Sequence, residues 1–322
     1  MIVVTGGAGF IGSAMIAKLN EKNVNDILVV DELGTSTKWK NLVGKQYTDY
    51  LHKDHFLDAL LGERLPKIEA IIHMGANSST MEKDVEHLME NNYRYTRVLA
   101  EWAMRKKARF IYASSGATYG DGSLGFSDDD ETTKKLRPLN AYGYSKHIFD
   151  LWALQNHHHH KIVGIKFFNV FGPNEYHKGE MKSLVCKAYY QIQETGKIKL
   201  FKSYKPEYKH GEQVRDFVYV KDCTEVLWWL LNTPKINGIF NLGTGKARTW
   251  NDLAKAIFAA LDQSPSIEYV EMPEEIRSAY QYHTEAETKK LFSAGCPVQF
   301  RSLEESVKDY VQNYLHPELR YL

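Results

Sequence analysis

Cysteine is scarce. The 322 residues hold three, Cys186, Cys223 and Cys296, far apart and odd in number. That argues against a disulfide frame or a clustered zinc site and predicts free thiols in a reducing compartment. Net charge is nearly absent as well. Lys plus Arg total 41 against 40 Asp plus Glu, a formal +1. Such balance supplies no field to gather nucleic acid or an anionic membrane, so an anionic ligand must be held by a local site. Long apolar runs are missing too. The longest, Val226–Leu231, falls far short of the ~20 residues a bilayer span requires. The apolar start, Met1–Val4, ends at Thr5-Gly6-Gly7 without a basic lead, too short for a signal peptide. A cytoplasmic protein with neither nucleic-acid nor membrane partners is expected. At 43% hydrophobic and 25% charged, the composition is globular, and the length suggests one large domain or two ordinary ones.

What is present is alternation. Apolar or β-branched runs at Ile2–Val4, Ile27–Val30, Ala70–Ile72, Phe110–Tyr112 and Ile162–Phe167 alternate with stretches of helical length. Those stretches are Phe10–Glu21, Lys83–Lys106 and Tyr142–Gln155. Strands apolar on both faces belong in a parallel sheet covered by helices on each side. The predicted fold class is α/β, a doubly wound Rossmann parallel sheet over residues 1–168. Beyond Gly172-Pro173 the pattern loosens into helices near Lys182–Thr195, Trp250–Leu261, Glu274–Phe292 and Leu303–Tyr314. A smaller, mixed α/β C-terminal unit (169–211 and 243–322) is expected to cap the first and carry substrate specificity. The strand-like Asp216–Val220 and the helix after it would return residues 212–242 to the sheet. For His157–His160, between a helix and a strand, a solvated loop is expected rather than a metal site.

Gly6, Gly9 and Gly12 fall in Thr5-Gly6-Gly7-Ala8-Gly9-Phe10-Ile11-Gly12, after the first strand and opening the first helix. Glycine there permits a positive φ, close approach of backbone amides to a pyrophosphate, and tight packing of helix on strand. The exposed N–H groups and the positive helix end attract phosphate. The strand–turn–helix setting marks a dinucleotide site rather than a bare turn. Asp31 ends the second strand, where a carboxylate grips a ribose 2′-hydroxyl; alone it favours NAD. A 2′-phosphate beside it would be repelled by roughly 1–4 kcal/mol. Lys38 and Lys53 follow within reach of such a phosphate, yet each alone reads as a surface lysine. The choice between NAD and NADP stays open on these residues.

Tyr142 and Lys146, in Tyr142-Gly143-Tyr144-Ser145-Lys146, stand four apart and share a helix face. A free phenol, with a pKa near 10, is a poor base at neutral pH. A neighbouring ammonium and an oxidised nicotinamide both favour phenolate, so a lowered Tyr142 pKa is expected. Tyr142 would then exchange a proton with a substrate hydroxyl as hydride moves. Ser115, at the carboxyl edge of a strand, has a hydroxyl to offer a developing oxyanion. Dehydration would need an acid and a base beside that serine; Gly116-Ala117 follow it, which disfavours a dehydratase.

Thr5-Gly6-x-x-Gly9-x-x-Gly12, Ser114-Ser115, Tyr142-x-x-x-Lys146 and Arg215-Asp216-Phe217-Val218-Tyr219-Val220 occur in that order across nearly the whole chain. Together they resemble the extended short-chain dehydrogenase/reductase family that acts on nucleotide sugars. Asp26–Asp31, Ser114–Gly120, Asn169–Pro173 with His177-Lys178-Gly179, and Gly238–Gly245 are most similar to its branch of ADP-heptose epimerases. The resemblance implies oxidation of the heptosyl carbon-six hydroxyl by tightly bound NADP, then return of the same hydride to the ketone's other face. Tyr142, Ser115 and Lys146 would serve that chemistry, with Lys178 as a second acid/base. It implies cofactor contacts from Gly6, Gly9, Phe10, Ile11, Gly12, Asp31, Glu32, Lys38, Lys53, Met74, Gly75, Ala76, Asn77, Ser78, Asn91, Tyr142, Lys146, Val170 and Lys178. Substrate contacts would come from Ser115, Asn169, Glu180, Lys187, Phe201, Lys202, Ser203, Tyr204, Arg215 and Tyr280. Arg215 suits a diphosphate, which a guanidinium holds bidentately. Glu180, Lys187 and Met74 depart from the serine, histidine and glutamate of the family pattern. A homo-oligomer is implied, with a pentamer as one such state. A UDP-hexose 4-epimerase using NAD shares the core motifs and is the nearest rival. A non-catalytic dinucleotide sensor would need no tyrosine–lysine pair.

Overall fold

The computed structural model describes residues 1–277 and 280–322. The chain opens with β1 (Ile2–Thr5), α1 (Phe10–Glu21), β2 (Ile27–Asp31), β3 (Asp49–His52), α2 (Lys53–Leu61) and β4 (Ala70–His73). A helical run follows: α3 (Val85–Leu88), a π-turn at Met89–Arg94, and α4 (Tyr95–Lys106). Then come β5 (Arg109–Ser115), α5 (Asp130–Lys135), α6 (Ala141–Gln155), β6 (Val163–Phe167) and β7 (Asn169–Phe171). The remainder holds α7 (Leu184–Thr195), β8 (Ile198–Phe201), β9 (Val214–Arg215), β10 (Phe217–Tyr219), α8 (Val220–Asn232) and β11 (Gly238–Leu242). It ends with β12 (Arg248–Thr249), α9 (Trp250–Ala260), β13 (Ile267–Val270), α10 (Glu274–Arg277), α11 (Lys289–Ser293) and α12 (Leu303–Tyr310).

Seven parallel strands form the main sheet in the order β11-β6-β5-β4-β1-β2-β3. Its strands are apolar on both faces because both are covered; β2 and β6 are buried at every position. On one face Met15, Ile16 and Leu19 of α1 pack with Val226 and Leu230 of α8. The other face takes Phe56 and Leu60 of α2, Leu99 and Trp102 of α4, and Phe149 and Trp152 of α6. Each such side chain, fully buried, contributes about 1.5–3 kcal/mol. A third cluster joins α7, α9 and α12 through Val185, Ile192, Leu253, Ile257 and Val307. Leu291 and Cys296, from the stretch expected with the second unit, pack instead into the core on the α1 side of the sheet.

One predicted element is corrected. The spacing within Glu274–Phe292 suggests a single helix, but only Glu274–Arg277 and Lys289–Ser293 are helical; Ser278 and Ala279 lie outside the described residues. Tertiary bonding wins over periodicity. Val214 N donates to Tyr282 O at 3.0 Å, Thr284 N to Val214 O at 3.3 Å, and Ala286 N to Asp216 Oδ2 at 3.1 Å. A helix would forfeit these bonds, so the segment runs extended beside β9. His157–His160 is a turn with a short 3-10 segment, as a loop requires, but His159 is buried rather than solvated. The three cysteines are free and buried.

Candidate active site

The order of the sheet places the site. It reverses direction between β4 and β1, and ligands in open α/β sheets bind outside the carboxyl ends of strands at such a point. Thr5, Asp31, His73, Ser115 and Phe167, each the last residue of its strand, all line one cavity of about 1040 Å³. That is the upper end of the usual range for one ligand and suits two.

The glycine turn forms its floor. Gly6 adopts a φ of +64°, and a Cβ there would lie 2.6 Å from Gly75 N, so only glycine fits. A Cβ on Gly12 would strike Gly6 O. Gly9 is the N-cap of α1, no side chain caps this end, and no acidic residue occupies its first turn. The leading amides of α1 are therefore left without intrahelical partners beside the cavity, where a phosphate fits them. Asp31 accepts from Ala8 N at 2.8 Å through Oδ2, and from Glu32 N and Lys38 Nζ, both at 2.7 Å, through Oδ1. Lys53 Nζ pairs with Glu32 at 2.7 Å and donates to Asn91 Oδ1 at 2.9 Å. Both lysines face the cavity. They are no mere surface lysines.

Ser115, Tyr142 and Lys146 converge on the same cavity. Asn140 caps α6 by accepting from Gly143 N at 2.8 Å, which fixes the turn that carries Tyr142. The Ser115 hydroxyl lies close enough to the Tyr142 phenol to favour its anion. Ser115 Oγ accepts from Ala117 N at 3.1 Å. In the chain by itself burial pushes the Tyr142 phenol up, and the nearby Ser115 only opposes it. Burial also pulls Lys146 down to about 8, with Asp150 opposing. The polypeptide alone holds the phenol neutral, so a phenolate needs a further positive charge beside it.

Lys178 comes from a different element, the Tyr176–Met181 loop, and its Nζ lies 5.4 Å from the centre of the Phe10 ring. Burial lowers its pKa while Glu175 opposes. Glu175 itself is fully buried. It accepts from Gly172 N at 3.3 Å, Ser183 Oγ at 2.7 Å and Ser183 N at 2.5 Å, so one carboxylate ties both ends of the loop together.

Every residue that sequence assigned to the dinucleotide lines the cavity, including Ile11, Met74, Gly75, Ala76, Asn77, Ser78 and Val170. The substrate set divides. Ser115 and Asn169 line it; Glu180, Lys187, Phe201, Lys202, Ser203, Tyr204, Arg215 and Tyr280 do not. Glu180 and Lys187 pair with each other at 3.0 Å on the outside. Lys202 pairs with Glu271 at 2.6 Å, Tyr204 OH donates to the same carboxylate, and Phe201 and Ser203 flank them. Arg215 and Tyr280 are one contact removed. The guanidinium lies 5.6 Å from the Trp250 ring and 5.2 Å from the Tyr280 ring, and Trp250, which does line the cavity, donates to Tyr280 OH at 3.0 Å.

Several lining residues escaped the sequence. His73 bonds Thr5 Oγ1 at 2.5 Å and Thr96 Oγ1 at 2.8 Å, and burial drops its pKa to about 3, so it is neutral. Nothing local to His73 signals this. Gln281 and Thr284 hid in the stretch expected to be helical, whereas His177 lay inside a quoted stretch beside Lys178. Trp250 carried a usable signal, because Thr249 and Asp252 form a capping box that opens α9 at it.

Residues 2–243 match the NAD dependent epimerase/dehydratase family. The chain is 60% identical over 316 residues to an ADP-L-glycero-D-manno-heptose-6-epimerase of Nitratidesulfovibrio vulgaris, covering 98% of each. It is 50% identical to the Fusobacterium nucleatum protein of the same name, covering all of both. The crystal structure of the Helicobacter pylori ADP-L-glycero-D-manno-heptose-6-epimerase superposes with a TM-score of 0.84 at 28% identity, over 98% of this chain and 96% of that one. With a Rossmann sheet, a glycine turn open to phosphate and a Ser–Tyr–Lys group at its edge, the chain belongs to the NAD dependent epimerase/dehydratase family, in its ADP-L-glycero-D-manno-heptose-6-epimerase branch.

Proposed function

We propose that this chain is a nucleotide-sugar epimerase that inverts carbon six of the heptose in ADP-D-glycero-D-manno-heptose, giving the L-glycero form. The observation that carries this is full-length identity of 60% and 50% to proteins named for that activity. Neither is named for a UDP-hexose, the rival reading. A bare sensor has no use for the Ser115, Tyr142 and Lys146 that meet in the cavity.

A nicotinamide dinucleotide would be held by the Gly6–Gly12 turn, Asp31 and the 74–78 loop, and when bound it supplies a site that accepts and returns hydride. We assign NADP rather than NAD because Lys38 and Lys53 both face the cavity beside Asp31 and Glu32. Two ammoniums offset the repulsion between those carboxylates and a 2′-phosphate. Ser115 donates to the substrate oxygen, and Tyr142 takes and returns its proton. Inversion presents two faces of one carbon in turn. It therefore needs a proton-handling group on a second element, which we assign to Lys178, or a substrate that turns over. Desolvation favours that role by keeping Lys178 easier to deprotonate than a surface lysine.

Among the described residues no helix is long and apolar enough to cross a membrane. We assign the protein to the cytoplasm, as a homo-oligomer. Purified protein incubated with ADP-D-glycero-D-manno-heptose is expected to give the L-glycero epimer without added cofactor. UDP-galactose and UDP-glucose should stay unchanged. Turnover of a UDP-hexose but not of the ADP-heptose would overturn the assignment.

A further inference from the structure

Next to the Tyr142–Lys146 pair lies a buried ionic group that the chemistry above does not use. Asp150 follows Lys146 by one turn of α6, and both it and Lys166 on β6 are wholly inaccessible. Asp150 Oδ1 accepts from Tyr112 OH at 2.9 Å. Its Oδ2 accepts from Ser114 Oγ at 2.7 Å and faces Lys166 Nζ at 3.2 Å. Lys166 Nζ donates to Thr118 Oγ1 at 2.8 Å and lies 4.8 Å from the centre of the Tyr119 ring. Glycine at position 164 makes the arrangement possible, because a Cβ there would strike the end of the Tyr112 ring.

Charge accounting gives this group a purpose. Lys146 and Lys166 are both buried; Asp150 is paired with Lys166 and stands one helical turn from Lys146. Unpaired buried charges are costly, so Asp150 cannot be idle. Facing Lys146 from the neighbouring elements are His73 on β4, which is neutral, and Asp150 and Tyr142 on its own helix. Facing the ion pair are Tyr112 on β5 and His147 on α6, with Asp128 and Lys290 near Lys166. Of these, Asp150 is the group that opposes the desolvation of Lys146.

We infer that Asp150 is a positioning residue. It clamps α6 to the Ser114–Ser115 strand end, and it is the shared counter-ion of Lys146 and Lys166, holding Lys146 as an ammonium beside the reacting phenol. One carboxylate for two ammoniums leaves a positive charge uncompensated, on the lysine that faces the cavity. This inference rests on Tyr142 and Lys146 being the proton-handling pair.

The test is the pH profile of kcat in the holoenzyme. Without the carboxylate Lys146 sheds its proton at lower pH, so Asp150→Asn should move the alkaline limb down by roughly one pH unit. Asp150→Asn with Lys166→Met removes both charges of the pair together, so its limb should move down by less than that of Asp150→Asn alone, with the fold kept. A uniform fall in kcat with an unmoved limb would show a packing role alone and overturn the inference. Should both asparagine variants fail to fold, Lys166→Met alone decides. Its limb should move up, because Asp150 then serves Lys146 only, and an unmoved limb overturns the proposal. Tyr142→Phe, run in parallel, separates the two failures. If it keeps its rate the proton-handling reading falls; if it loses its rate while the limbs stay put, only the role of Asp150 falls.

Discussion

The two walls of the cavity that are proposed to handle protons are built differently. Ser115, Tyr142 and Lys146 stand on a strand end and a helix, tied together by the buried group around Asp150. Lys178 stands on a loop with a positive φ at Gly179, tied at its base by the single carboxylate of Glu175. Regular structure fixes the first wall; side-chain bonds from Glu175, Asn41 and Tyr176 fix the second. A reaction that must address both faces of one carbon gains from this pairing. On the proposed mechanism the first wall, rigid by its regular structure, would hold the phenol in register, and the loop would bring Lys178 to the reacting carbon.

Breaking the rigid wall should cost most. Tyr142→Phe is expected to lower kcat about 10²–10⁴-fold in a steady-state assay, with the dinucleotide still bound. A near-normal rate would remove Tyr142 from the mechanism. Lys178→Met should cost roughly 10²-fold, with circular dichroism and melting unchanged. Unchanged kinetics would give the second wall no chemical part. Glu175→Gln sharpens the contrast, because it replaces one carboxylate oxygen by an amide N–H where two backbone N–H groups and a hydroxyl now donate. It should destabilise the fold by about 1–3 kcal/mol in urea titration and lower kcat less than Lys178→Met. A stability loss without any loss of rate would show that the loop needs no such tie. The smallest effect belongs at the far end of the cavity. Lys38→Ala should shift the affinity ratio from NADP toward NAD by about tenfold, measured by cofactor titration of the apoprotein. An unaltered ratio would leave Lys38 merely the partner of Asp31.

The same contrast decides how much of the site could be read from the amino-acid order. The turn from Gly6 to Gly12 and the Tyr142–Lys146 spacing each lie within one strand–turn–helix or one helix, so sequence distance translates directly into geometry. The substrate side is assembled from segments far apart in sequence. Arg215 acquires its environment from Trp250 and Tyr280, and Tyr204 from Glu271. Residues 280–287 read as helical because the edge bonds to Val214 that hold them extended leave no periodic trace. Asp150 and Lys166 were equally hidden. Their partnership crosses from helix to sheet, and neither residue carries a local signature of burial.

In the proposed reaction one hydride leaves carbon six and the same hydride returns. Epimerisation of ADP-heptose carrying deuterium at carbon six, followed by mass spectrometry and NMR, tests it most directly. The expected product keeps the label in full and takes up no solvent hydrogen at that carbon. Loss of the label to water during turnover would mean deprotonation and reprotonation instead, and would contradict the proposed redox route.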